Sequence, residues 1–160
     1  MATQATIGHG STFSVGITPG PPITYGIMAE VVSITGPALQ RDTPDATHML
    51  SPAKFREFIG GLKDAGEVSL TLNFRPGSTD EEVIFAHFDS DVIGDYKITF
   101  PNAAEWEFQA WCTGYDTETP LDDKMSATVT FKLSGKPAFV TYAPPAVLAA
   151  EVGAAGPGAA

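Results

Sequence analysis

Hydrophobic and polar residues alternate along much of this chain, and alternation is the mark of half-buried antiparallel strands. The cleanest case is Glu67–Phe74. Val68, Leu70, Leu72 and Phe74 point one way; Glu67, Ser69, Thr71 and Asn73 point the other. Ser11–Ile17 alternates with Phe13, Val15 and Ile17 on one side, and Met28–Ile34 reads as a second strand. Further strands are predicted at Asp95–Phe100, Ala104–Tyr115 and Lys124–Ser134. The Pro/Gly turn Thr18–Pro22, Pro76-Gly77 and Pro101-Asn102 punctuate them. At one place the period changes. Ser78 or Thr79 can accept a bond from an orphan amide, and Asp80, Glu81 and Glu82 favour the positive end of a helix dipole. Val83, Ile84, His87 and Phe88 then have helical spacing, which predicts one short helix ending near Asp89 with His87 on its inner face.

From Gly36 to about Gly66 no strand pattern continues. Pro37, Pro44 and Pro52 argue against a central strand or a long helix. A segment of this length without regular structure is disordered or functional. Met49, Leu50, Phe55, Phe58, Ile59 and Leu62 are too many apolar groups for a disordered loop, so the segment is expected to dock on its own domain or a neighbour. Met1–His9 reads as a flexible arm, and residues 138–160, rich in Ala, Gly and Pro, read as an extended tail. The expected organisation is one domain over residues 1–137, with a long loop at about 37–63.

The chain has 160 residues, enough for one real core, and only 18% are charged. Few surface charges suit a protein that buries itself against its own copies. The net charge of −10 argues against a nucleic-acid or anionic-membrane binder, which would show a basic patch. The single cysteine, Cys112, lies in an alternating strand and reads as a small buried hydrophobe. No apolar run approaches eighteen residues and no basic start precedes an apolar block, so neither a membrane span nor a secretion signal is expected.

No residue is placed for chemistry. His9, His48 and His87 lack the short paired spacing of a metal site, and there is no nucleophile elbow, phosphate loop or Cys-His pairing. Gly8-His-Gly10 is a single Gly-X-Gly ahead of a strand, not a helix. Glu81-Glu82 reads as a capped helix start. Asp122-Asp123 reads as turn residues bonding locally. Trp106 and Phe108 share a face with Ala110 and Cys112 and read as core, while Trp111 on the other face is a candidate subunit contact. No catalysis, metal or cofactor is expected.

Several segments together carry a resemblance. Tyr96-Lys-Ile-Thr-Phe-Pro-Asn102 leads into an aromatic strand up to Trp111. Thr47-His48-Met49 and Ser51-Pro52 precede Phe55-Arg-Glu-Phe-Ile-Gly-Gly-Leu-Lys-Asp64 and the strand after Gly66. In this order, from about Val31 to Pro137, they resemble the tail tube proteins of long, non-contractile-tailed phages of lambda type. The resemblance implies a mainly β fold, a β-sandwich or half-barrel flanked by one short helix, with terminal arms. It implies hexameric rings whose inner sheets join around a lumen, stacked into a tube that passes double-stranded DNA. The long loop would reach the adjacent ring. Partners would be further copies, the tape measure, tail terminator and distal tail proteins, in a virion tail assembled in the host cytoplasm. The lambda-type protein carries a second, immunoglobulin-like domain; here a short Ala/Gly/Pro tail stands at that place, so the decoration is expected to be absent or supplied by another chain.

The polar strand faces then gain a meaning. Glu67, Ser69, Thr71 and Asn73 form one row, Glu105, Glu107 and Gln109 a second, and Ser126, Thr128 and Thr130 a third. On a monomer they are solvated faces. In a tube they would line a wet, weakly acidic channel along which DNA, itself strongly anionic, could slide. Two other readings stand beside this one. The chain could build the tube of a gene-transfer particle or a type VI-like injection machine, or it could be a β-sandwich ligand-binding module using exposed aromatics.

Overall fold

The computed structural model describes residues 7–140 apart from Pro19. Nine strands and one α-helix follow in the order β1 Thr12–Gly16, β2 Tyr25–Ile27, β3 Val31–Thr35, β4 Gln40–Arg41, β5 Lys63–Asp64, β6 Glu67–Asn73, α1 Thr79–Asp89, β7 Gly94–Thr99, β8 Glu105–Glu118 and β9 Ser126–Val140. Seven strands form one antiparallel sheet in the order β2-β1-β7-β8-β9-β6-β3, and β4 and β5 pair separately.

The sheet does not lie flat. β2 and β3 are its two outer strands, yet only Met28–Glu30 separates them in sequence. Seven strands at ~4.8 Å spacing would put flat edges about 29 Å apart. Three linking residues reach at most about 14 Å. The sheet is therefore curled almost shut around its apolar face. The rings confirm it: Phe13 on β1 and Phe131 on β9 stack at 5.4 Å although β7 and β8 lie between their strands. Of the two expected forms, the half-barrel is the one observed.

The core follows from the alternation. Phe13, Val68, Leu70, Tyr96, Ile98, Val129 and Phe131 are almost completely buried on the concave side. The helix forms as its sequence dictates. The Ser78 side chain accepts from the Glu81 amide, and Asp80–Glu82 fill the first turn. Ile84 is buried and Val83 packs on the core, but Phe88 faces outward, contrary to its expected inner position. A short helix crossing the mouth of a barrel offers only a narrow stripe to the core. His87 is on the inner side as expected, 3.1 Å from the Tyr96 hydroxyl.

Three boundaries differ from expectation. The expected strand Met28–Ile34 begins only at Val31 as β3, because Met28 turns inward to close the seam and Glu30 takes a left-handed φ of 59°; the residues just before it, Tyr25–Ile27, form the separate strand β2. Ile17 lies past the end of β1 and is exposed. β9 runs on to Val140 rather than stopping at Ser134, so the stretch expected as tail begins in a strand. Residues 1–6 and 141–160, where the rest of the expected arm and tail fall, lie outside the described residues.

The antiparallel registers give the barrel two distinct ends. β1, β6 and β8 start, and β3, β7 and β9 finish, at the end from which β4 and β5 depart. α1, the turn from Thr119 to Met125 and the start of β7 lie at the other.

Candidate assembly surfaces

The segment expected as a long loop is a projecting hairpin. Its base is the β4–β5 pair, with Gln40 opposite Asp64 and Arg41 opposite Lys63. Sparse backbone bonds continue the pairing outward: Asp42 N to Leu62 O at 2.9 Å, Ile59 N to Pro44 O at 3.0 Å, and Ala46 N to Glu57 O at 2.8 Å. At ~3.3 Å per residue, the paired part from Gln40 to Thr47 extends about 23 Å. The absence of regular structure expected here was wrong in detail. A ribbon buried on neither face carries no hydrophobic period, so its pairing leaves no alternation to read.

The base is held by a close approach at Gly66. Its φ is +76°, and a side chain there would meet the Ala38 carbonyl oxygen at 2.3 Å. The tip is held by polar bonds. Ser51 Oγ donates to Glu57 at 2.7 Å, the His48 amide donates to Ser51 Oγ at 3.0 Å, and the Leu50 amide donates to His48 Nδ1 at 3.1 Å. Asp45 accepts from both the amide and hydroxyl of Thr47, and these bonds lower its carboxyl below the usual range. Met49, Leu50, Phe55, Phe58, Ile59 and Leu62 are all exposed, from 58% at Phe58 and Ile59 to full exposure at Met49. Of the two expected docking partners, its own domain is therefore excluded for these side chains. Exposed apolar groups on an ordered scaffold mark an interaction surface.

All ten residues of the three polar rows lie on the outer face of the curled sheet, in two patches. The first is a ladder of hydroxyls and amides. Glu67, Ser69, Thr71 and Asn73 on β6 stand opposite Lys132, Thr130, Thr128 and Ser126 on β9. The Asn73 side chain is committed: its amide donates to Glu30 at 2.9 Å and helps fix the seam. The second patch is charged. Glu105 and Glu107 on β8 stand opposite Thr99 and Lys97 on β7, and Gln109 donates to Asp95 at 3.0 Å. Lys97 pairs with Glu105 at 3.3 Å and sits 4.7 Å above the Tyr25 ring. Burial, then Glu107, Asp95 and Glu105, push the Tyr25 hydroxyl up.

Two lysines stand beside the three rows, and alternation puts them on the same face. Lys97 follows Asp95 at strand spacing, and Lys132 continues the row of Thr128 and Thr130. Lys132 also reaches Asp64 at the hairpin base, at 2.8 Å. The face is consequently less acidic than its glutamates alone suggest.

Of the aromatic strand, Phe108 lies in the core as expected, whereas Trp106, also expected there, is only partly buried. Phe108, Ala110 and Cys112 are buried, and burial pushes the Cys112 thiol up, which disfavours its reactive thiolate. Trp106 is partly buried at the rim, edge-on to Phe100 and Phe139 at 4.8 and 5.1 Å. Trp111 is 40% exposed on the outer face. Among the described residues no three His, Cys, Asp or Glu side chains converge as a metal site would require, and no helix is long and apolar enough to cross a membrane.

The polar outside of the curled sheet and the ordered, exposed apolar hairpin offer surfaces for packing against other chains. The lambda phage tail tube protein family matches residues 8–140, and the chain belongs to that family. No curated protein matches the sequence. The fold is similar to the tail of an empty gene transfer agent particle refined with C6 symmetry, at 19% identity and a TM-score of 0.69, covering 85% of this chain and 99% of that one. It is also similar to the sheath-tube complex of an extracellular contractile injection system (14% identity, TM-score 0.64, 82% and 88% covered). The SPP1 tail tube shares it at 6% identity and a TM-score of 0.64, with 82% and 77% covered. The chain is a structural tail tube protein and not an enzyme.

Proposed function

We propose that this chain polymerises as stacked hexameric rings into the tube of a phage tail, through which double-stranded DNA reaches the host. The observation that carries the proposal is the ordered hairpin with six exposed apolar side chains that its own barrel cannot cover. The short strands β2 and β3 at the two sheet edges offer unpaired backbone groups for lateral joining within a ring. The hairpin reaches the adjacent ring. Tape measure, terminator and distal tail proteins start and stop the stack, and assembly takes place in the host cytoplasm. A second reading, the tube of a gene-transfer particle, draws support from the fold shared over 99% of that particle's chain. Negative-stain electron microscopy of the purified chain, alone and with tail-tip proteins, tests the assembly. Rings or tubes are expected, and a chain that stays monomeric with its nucleating partners present would sink the proposal.

The polar outer face lines the lumen in this reading. Duplex DNA carries about one negative charge per 1.7 Å, so a lysine introduced on the lining gains a salt-dependent hold at every ring. Thr71→Lys probes the hydroxyl ladder and Gln109→Lys the charged patch. The substitution on the lining is expected to leave tubes intact and slow DNA delivery, with relief at higher salt. If neither slows delivery while tubes form normally, the outer face does not line the channel.

A further inference from the structure

The charge of this protein is distributed very unevenly between the two ends of the barrel. At the end capped by α1 lie ten carboxylates: Glu30, five on or just after the helix, and four between Asp116 and Asp123. Only Arg75 and Lys124 oppose them there. That end alone accounts for a net −8 of the chain's −10. It is also studded with exposed apolar groups: Phe85 and Phe88 on the helix, Val92 after it, and Leu121 and Met125 in the turn between β8 and β9. Phe85 packs at a tilt against Tyr115, with ring centroids 4.9 Å apart, and is still 43% exposed.

The hairpin at the opposite end is apolar at its tip and carries no net charge to repel that −8. It carries four of the nine basic residues: Arg41, Lys54, Arg56 and Lys63. Four acids make the hairpin formally neutral, but three of them are already engaged: Asp45 by Thr47 and, at 3.9 Å, by Arg56, Glu57 by Ser51, and Asp64 by Lys132. Lys54 has no ion-pair partner among the described residues, and it directly precedes the exposed Phe55. We infer that the hairpin of one copy seats on the α1 end of a copy in the next ring. Its apolar side chains meet Phe85, Phe88, Val92, Leu121 and Met125, while Lys54 and Arg56 lie among the carboxylates. This rests on the stacked-ring reading and adds to it the receiving surface and a polarity. Every ring presents its hairpins to the acidic end of its neighbour, and the reverse stacking would set acidic end against acidic end. Like charges facing each other across an interface are strongly disfavoured, and complementary ones fix orientation.

Charge reversal with rescue tests the pairing. The hairpin pair Lys54→Glu and Arg56→Glu and the receiving pair Asp91→Lys and Asp122→Lys all replace exposed side chains. Each pair alone is expected to cut the yield of sedimentable tubes about tenfold, with the unfolding midpoint of the monomer unchanged. Combined in one chain, the four substitutions are expected to bring the yield back to within about threefold of the parent, because the charges match again. A combined variant as defective as the two losses multiplied would overturn the inference. So would a receiving pair without effect while the parent forms tubes, which leaves the stacked-ring function standing. A parent chain that forms no tubes with tail-tip proteins would overturn both.

Discussion

The barrel and the hairpin use the same kinds of side chain in opposite ways. In the barrel, Phe13, Tyr96 and Phe131 meet within one concavity, with ring centroids 4.6 to 5.9 Å apart. In the hairpin, Phe55 and Phe58 are 74% and 58% exposed, and polar bonds rather than packing hold the tip. The barrel is finished by folding. The hairpin is shaped by folding and left for another chain to complete. A large apolar side chain therefore reports on different equilibria in the two regions, and substitution should separate them.

The largest effect belongs to the barrel. Phe131→Ala removes a ring that is 1% exposed and packed on two others, and should cost about 3–5 kcal/mol of folding stability. Urea denaturation measures it, and assembly should be lost along with the fold. A loss below about 1 kcal/mol would mean that the concave side is not the packed core described here.

The hairpin should behave in the reverse manner. Phe55→Ser with Phe58→Ser is expected to move monomer stability by less than about 0.5 kcal/mol, because neither side chain is buried in the monomer. Stacking should weaken strongly, since each ring buried between copies is worth about 1.5–3 kcal/mol. Tubes that form as readily as the parent's would show that the hairpin is not the stacking element, and the contrast between the two regions would fail.

The smallest effect is a pH dependence that belongs to the barrel alone. Burial holds His87 below its ordinary value of 6.5, and the bond to the Gly16 backbone offsets this only in part. The unfolded chain therefore takes up this proton at a higher pH than the folded chain does. Stability attributable to His87 is fully present above about pH 6.5 and declines as pH falls through that value towards the folded pKa. The helix should loosen first, since His87 ties it to Tyr96. His87→Gln should flatten the decline measured between pH 7 and pH 5. An unchanged slope would assign the decline to the carboxylates instead.

The sequence by itself determined most of the local structure. Alternation located β1, β6, β7, β8 and β9, because a half-buried strand must repeat every two residues. Ser78 and the acids after it marked the helix, because unpaired amides and a dipole need those groups at that end. The ordered set of segments from Val31 to Pro137 also pointed to the family. The tertiary structure alone decided how these pieces combine. Nothing local states that three residues, Met28–Glu30, join the outer strands of a seven-stranded sheet, so neither the curl nor the inward turn of Met28 could be read. Three separate polar rows became one outer face only through strand order and register, which are non-local. The hairpin pairing was hidden because no face of it is buried in the monomer, and the gathering of acids at one end appeared only when segments distant in sequence met around α1.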